Sequence, residues 1–335
     1  MTGQPMTLPT PRPLGPLPKA HLHVHLEGAM RRSTLHELCE SQGTSVPTFS
    51  GSYGTFADFQ DLYVAARGTI RTVDDLVRLV GEVVEDAAAD GAVWIEPAVH
   101  LPGHRTLGTD DFVLDTLLEA GREASAATGV GVGWLLSVDR TLTPALAIEQ
   151  ATVAARHAGN GVVSIGLAND EAACAPEPFG PAFAIAREAG IISAPHAGEH
   201  GGPDSVRGAL DALGADRVQH GVRSVEDTDL VRRLADDHVC LDVCPTSNIC
   251  LSVVPALSVH PLPELLAAGV PCSINADDPL LFGVGLLDEY VVCREHLGLD
   301  DATLAACARS SIEHSGAPAD VKVRAGQAID AWLRS

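Results

Sequence analysis

Three histidines open the chemistry of this chain, in His21-Leu22-His23-Val24-His25-Leu26-Glu27-Gly28. Alternation of His with apolar residues is the period of a strand, so the imidazoles share one face and Leu22, Val24 and Leu26 the other. Imidazoles crowded on one strand face repel when charged and waste hydrogen-bonding capacity when buried alone. A divalent metal resolves both problems, because neutral imidazole nitrogen is a good ligand for zinc. Taken alone, the segment also reads as a polar strand near the surface. Four downstream clusters weigh against that plainer account: His196-Ala197-Gly198-Glu199, Gln219-His220-Gly221, Cys244-Pro245-Thr246-Ser247-Asn248 and Asn275-Ala276-Asp277-Asp278-Pro279. Each follows an apolar run, and a lone His at a strand end is usually just hydrogen-bonded. Together they supply imidazoles, a glutamate and paired aspartates, the composition of a mononuclear hydrolytic metal site.

The elements that must position these groups form a regular scheme. After a first strand at 20–26, a helix at 31–41 and a Ser/Gly/Thr/Pro loop at 45–55, an amphipathic helix at 73–90 feeds the run Ala92-Val93-Trp94-Ile95. Helices at 110–128, 143–158, 179–189, 204–213, 226–236 and 261–268 then alternate with strands at 130–138, 161–168, 191–197, 217–221, 238–243 and 271–276. Continuous apolar strands separated by helices predict a parallel sheet, and eight of them predict a closed (β/α)8 barrel, an α/β fold. An open doubly wound sheet is the alternative, but no GxGxxG turn follows the first strand. The barrel reading gathers the polar clusters at one mouth, the C-terminal ends of the strands. The segment 55–67 sets Phe56, Phe59, Leu62 and Tyr63 along one helical face. Core packing is its plainer account; a lid over a flat substrate is the sharper one.

Composition narrows the partners. The chain has 335 residues and a formal charge of −22, from 22 basic and 44 acidic residues. No basic patch offsets that charge, which argues against nucleic acid and anionic membrane as partners. No run reaches the roughly 18 apolar residues of a membrane span, and residues 1–19 lack the marks of a signal peptide. Eight scattered cysteines without a CxxC pair predict reduced, mostly buried thiols and a cytoplasmic protein. Residues 1–18 hold six prolines and read as a tail (1–17) or a belt across the barrel bottom, ahead of one catalytic domain over 18–335. Oligomeric state stays open, a homodimer among the options.

Across residues 18–290, in order and spacing, these motifs resemble the adenosine deaminase family of the metal-dependent amidohydrolases. The resemblance implies a zinc-dependent aminohydrolase converting a 6-aminopurine nucleoside to its 6-oxo product and ammonia, with one zinc per chain. It implies His23, His25, His196 and Asp277 as metal ligands. His21 stands where relatives carry a non-ligand. His220 would orient the attacking water and Asp277 also accept its proton. Glu199 resembles the proton donor to ring N1, a role that needs a raised pKa, and Asp278 matches the partner of N7. Phe59 and Tyr63 would cover the base.

Two departures bear on substrate. Adenosine-specific relatives usually carry Asp at position 27, reaching the ribose 5′-hydroxyl, where this chain has Glu27. Relatives acting on adenine, or on nucleosides altered at the 5′ position, are similar to this chain there. Asn169 replaces a glycine whose N–H meets purine N3, so its side chain would narrow the approach or make a new polar contact. A 5′-extended adenosine such as aminodeoxyfutalosine, from menaquinone synthesis, fits these changes, with Arg67 or Arg71 as candidate partners of its carboxylate. Free adenine is the alternative substrate, and a non-catalytic binding protein on the same fold the alternative class. Amidohydrolases with two metals bridged by a Lys on the fourth strand are a poorer match, since 161–168 contains no Lys.

Overall fold

The computed structural model describes residues 11–335, and within them every strand pairing is parallel. The strands are β1 (Lys19–His25), β2 (Ala92–Val99), β3 (Gly131–Val132), β4 (Trp134–Asp139), β5 (Val162–Ala168), β6 (Ile192–Ser193), β7 (His196–Ala197), β8 (Arg217–His220), β9 (Cys240–Val243) and β10 (Cys272–Ile274). They form two arcs, β1-β2-β4-β5-β6 and β10-β9-β8-β7. Two of the sequence-predicted strands are each divided. Between β3 and β4 lies Gly133, where a Cβ would stand 2.6 Å from Trp94 and 2.7 Å from Val163. Only glycine lets the backbone pass so close. Between β6 and β7 lies Pro195, which has no N–H to give the ladder, although its carbonyl accepts from Gln219 N at 2.9 Å.

Side chains and loops complete the seam between β10 and β1. Asn275 Oδ1 accepts the amides of Leu22 at 2.7 Å and His23 at 3.1 Å. Asp277 N donates to His23 O, and His25 N to Asp277 O, both at 3.0 Å. Ser311, on the helix Asp301–Glu313, accepts from Ala20 N at 2.8 Å. The result is the expected barrel, with helices such as Val73–Ala89 and Asp110–Thr128 covering it.

One expectation for β1 needs correction. Its register shifts between His21 and Val24, so His21 leaves the face shared by its neighbours and lines a separate cavity with Val24 and Ile95. Its Nε2 accepts from Ala276 N at 3.1 Å.

Charge is also built into the barrel interior. Arg217 is fully buried and pairs with Glu96 and, at 3.0 Å, with Asp242. Glu96 further accepts from Trp94 Nε1 at 2.9 Å and Ser164 Oγ at 3.1 Å. Buried charge survives only with such partners.

Residues 1–10 of the proline-rich tail lie outside the described residues. The remainder lies against the C-terminal helices: Arg12 pairs with Asp301 at 3.2 Å, and Trp332 Nε1 donates to Pro13 O at 2.8 Å. All eight cysteines are free and seven are buried. No helix among the described residues is long and apolar enough to cross a membrane.

Candidate active site

Toward the C-terminal ends of β1 and β8, at the start of the short β7 and just past β10, His23, His220, His196 and Asp277 offer ligand atoms within 4.8 Å of one another. A second group, His25, Asp277 and Asp278, shares the same aspartate. His23 Nδ1 lies 3.0 Å from the carbonyl of Asp242. A carbonyl only accepts, so this nitrogen carries the proton and Nε2 is bare. That bare nitrogen faces His196 Nε2 at 3.1 Å and Asp277 Oδ1 at 3.3 Å. His25 Nε2 stands 3.2 Å from the same oxygen. Lone pairs converging in a buried space call for a cation, and neutral imidazoles with one carboxylate fit a zinc-type metal.

The ionisation states agree with that fit. Burial pushes His196 and His220 well below the usual histidine range, and neighbouring imidazoles add to it. Burial opposes charge on both His23 and Asp277, yet Asp277 raises His23, and a protonated His23, with the hydrogen bond of His25, holds Asp277 well below its ordinary value. The position facing Asp277 thus takes either a proton or a cation. Asp278 goes the other way, raised by burial and then by the charge of Asp277. Burial likewise lifts Glu199 well above the carboxylate range, with Asp277 and Glu171 adding to it. One acid held protonated beside another held ionised is the pattern of an acid/base pair. Asp277 and His220 also sit in the left-handed region, with φ of 59° and 65°. Strain of this kind in non-glycine residues collects at functional sites.

The loop bearing Glu199 is fixed by a residue that sequence reasoning passed over. Glu171 accepts the amides of Gly198 at 2.6 Å, Glu199 at 3.0 Å and Gly201 at 2.6 Å. A Cβ on Gly201 would come within 2.5 Å of that carboxylate. Arg140 secures the other side, donating to His196 O at 2.6 Å. Replacing Glu171 with Gln puts an amide N–H against backbone N–H groups. Hydrogen bonds to a charged group are worth about 1.5–3 kcal/mol each, so kcat should fall roughly 10- to 100-fold with KM little changed. Steady-state kinetics on the variant decide this, and a change within twofold would sink the clamp.

Glu199, His196, His220 and Asp277 line a cavity together with Phe59, Tyr63, Asn169, Asp278 and His25. The helix Phe56–Arg67 crosses its mouth, started by a Thr55–Asp58 capping box. Phe59 is both wall and core, stacked on Phe282 at 5.6 Å and 7°. Core packing therefore holds for Phe59, which also faces the cavity. Tyr63 turns its ring edge-on to His25 at 6.1 Å.

Glu27 is not among the lining residues and is fully buried. Its carboxylate takes hydrogen bonds from Tyr63 Oη at 2.7 Å and His104 Nε2 at 2.5 Å. Burial would raise its pKa, yet His104 and Tyr63 hold it down at about 2. It stands behind Tyr63, with no free oxygen directed at a ligand; His104, its partner, gave no signal in the sequence.

Asn169 keeps the left-handed backbone a glycine would adopt, at φ 79°, which Asn tolerates better than most residues. Its side chain donates to Asp139, 2.9 Å away, while the residue still lines the cavity. Arg67 lines the cavity. Arg71 does not, its guanidinium lying against the carbonyl of Gly68 at 3.4 Å.

Residues 18–332 match the family model described as adenosine deaminase. The chain belongs to the adenosine deaminase family. It is therefore a hydrolase acting on C–N bonds, in a family that is metal-dependent. A putative adenosine/adenine deaminase from Streptomyces coelicolor is 42% identical, over 96% of this chain and 98% of that one. An aminodeoxyfutalosine deaminase of the same organism is 38% identical, over 95% and 86%. The crystal structure of adenine deaminase from Arthrobacter aurescens superposes with a TM-score of 0.88 at 30% identity, covering 95% and 99%.

Proposed function

We propose that the chain deaminates a 6-aminopurine carrying a substituent on its sugar-side nitrogen, a nucleoside rather than the bare base. The observation behind this reading is the far half of the cavity. Past the acid/base groups the wall continues through Gln60, Arg67, His100 and Asp139, polar surface that a bare purine would leave unused. Among the described residues no carboxylate lies within ion-pair distance of Arg67, whose charge suits an acidic group on the substituent.

The roles follow from chemistry. His23, His25, His196 and Asp277 would hold the divalent metal, zinc by their ligand type. When bound, such a metal lowers the pKa of a coordinated water so that hydroxide is available near neutral pH. Glu199, protonated, gives its proton to ring N1 and draws electrons from C6. Asp277 Oδ2, held at 2.7 Å by Ser247 Oγ, is placed to take the proton of the attacking water. Addition at C6 gives a tetrahedral carbon. The proton taken by Asp277 passes to the amino group, which leaves as ammonia, and the C6 hydroxyl returns a proton to Glu199 as the 6-oxo purine forms. Asp278, kept protonated, can donate to N7. Phe59 and Tyr63 pack on the ring, and Asn169 offers a backbone N–H beside it.

The test is kcat/KM for adenine, adenosine, 2′-deoxyadenosine and aminodeoxyfutalosine with zinc-loaded protein. The 5′-extended acid should lead, and Arg67→Gln should lower its value about tenfold or more, one charged hydrogen bond's worth. A lead for adenosine would make the Glu27 and Asn169 changes neutral variants. A lead for adenine would support the second reading, which the enclosure of Glu27 favours, since no carboxylate there is free for a ribose hydroxyl.

A further inference from the structure

Behind His220 runs a line of hydrogen bonds whose direction is set at its far end. Leu262 N donates to His260 Nδ1 at 3.1 Å. A ring nitrogen that accepts has no proton, so neutral His260 carries its proton on Nε2. That N–H meets Asn248 Oδ1 at 3.1 Å. With its oxygen engaged, the amide presents Nδ2 to His220 Nδ1, 3.3 Å away. His220 Nδ1 is then an acceptor, and the ring's single proton sits on Nε2. An amide flip would set Asn248 N–H against His260 N–H, and His260 cannot change tautomer against a backbone amide. All three side chains are buried, at 1%, 0% and 5% exposure for His220, Asn248 and His260.

We propose that His260 and Asn248 are positioning residues that lock His220 as the Nε2–H tautomer, making it a hydrogen-bond donor and barring it from the metal. Distance alone groups His220 with His23, His196 and Asp277. A protonated nitrogen has no lone pair for a cation, so the third imidazole ligand falls to His25. His23, 4.5 Å away between ring centres, is set in the opposite tautomer by the Asp242 carbonyl. Two adjacent imidazoles thus receive opposite duties from two different partners. From Nε2, His220 faces Glu199 Oε1 at 3.5 Å and Asp277 Oδ2 at 3.8 Å, where a donor would steady the attacking oxygen. The catalytic use of that donor rests on the deaminase reading; the tautomer lock does not.

The experiment is 15N NMR of the zinc-loaded full chain with ring-labelled histidine, the His220 signals being those lost in His220→Gln. We expect an unprotonated-type shift at Nδ1 and a protonated-type shift at Nε2. Asn248→Asp offers only acceptors and should move the proton to Nδ1, lowering kcat about a hundredfold with KM little changed. A wrong tautomer costs up to about 10⁴ in a serine protease triad. His260→Leu should lower kcat as well, and His260→Gln, which keeps a donor, should recover most of the loss.

A protonated Nδ1 in the unsubstituted chain would overturn the proposal, as would activity loss in Asn248→Asp without a change of tautomer. The expected tautomers without turnover of any 6-aminopurine would sink the deaminase reading and leave the lock standing.

Discussion

Glu199→Gln should leave the metal content unchanged and lower kcat by about 10³, within the roughly 10²–10⁴ that a positioned proton donor contributes. The substitution keeps shape and nearly keeps volume. It keeps the backbone bond from Glu199 N to Glu171 as well. What it removes is an acidic proton. Burial raises the Glu199 pKa, and the charges of Asp277 and Glu171 raise it further. The protonated form therefore persists above the ordinary carboxylate range. Activity should be present below that raised pKa and fall as pH rises through it, giving the alkaline limb of kcat/KM. Turnover within tenfold of the unsubstituted enzyme, at unchanged metal content, would remove Glu199 from the reaction.

The largest effect on stability is expected at Arg217. Arg217→Met replaces a fully buried guanidinium with an apolar chain of similar reach and leaves Glu96 and Asp242 facing each other without a cation. Breaking a buried pair in this way costs about 3–5 kcal/mol. Asp242 is already raised by burial, with Arg217 the main opposing influence, so it should take up a proton in the variant. Since the folded-state pKa then lies further above the unfolded one, the stability deficit should grow as pH rises from below the ordinary aspartate range. Urea midpoints at two pH values measure both effects. Adding Asp242→Asn should recover part of the loss. A loss under about 1 kcal/mol would mean the buried charges relax onto other partners.

The barrel and the histidine–aspartate cluster were legible because their signals are local. Each strand is a short apolar run, and each functional group follows one directly, as His196 follows β6 and Asp277 follows β10. The residues that steer those groups carry no such signal. Glu171 reaches the Glu199 loop across 28 positions, and Arg217 reaches Glu96 across 121. Pairings of that length depend on where the barrel brings separate loops together, which periodicity does not encode. Glu27 is the instructive case. Its position in the motif pointed to a substrate contact, while its surroundings, Tyr63 and His104, turn its oxygens toward protein. Asn169 could be anticipated as a departure from glycine, but its outlet at Asp139 could not.

The seam at β1 bears on the order in which the chain is made. The first strand emerges near residue 19, yet the groups that complete its outer edge, Asn275 and Asp277, come about 250 positions later. During synthesis, β1 can pair with β2 early, while its other edge waits until nearly the whole polypeptide has left the ribosome. An unpaired strand edge is a hazard for association with other chains. Here the strand left waiting bears His23 and His25, the two histidines proposed as metal ligands. The same aspartate proposed to complete the ligand set therefore also ends that exposure.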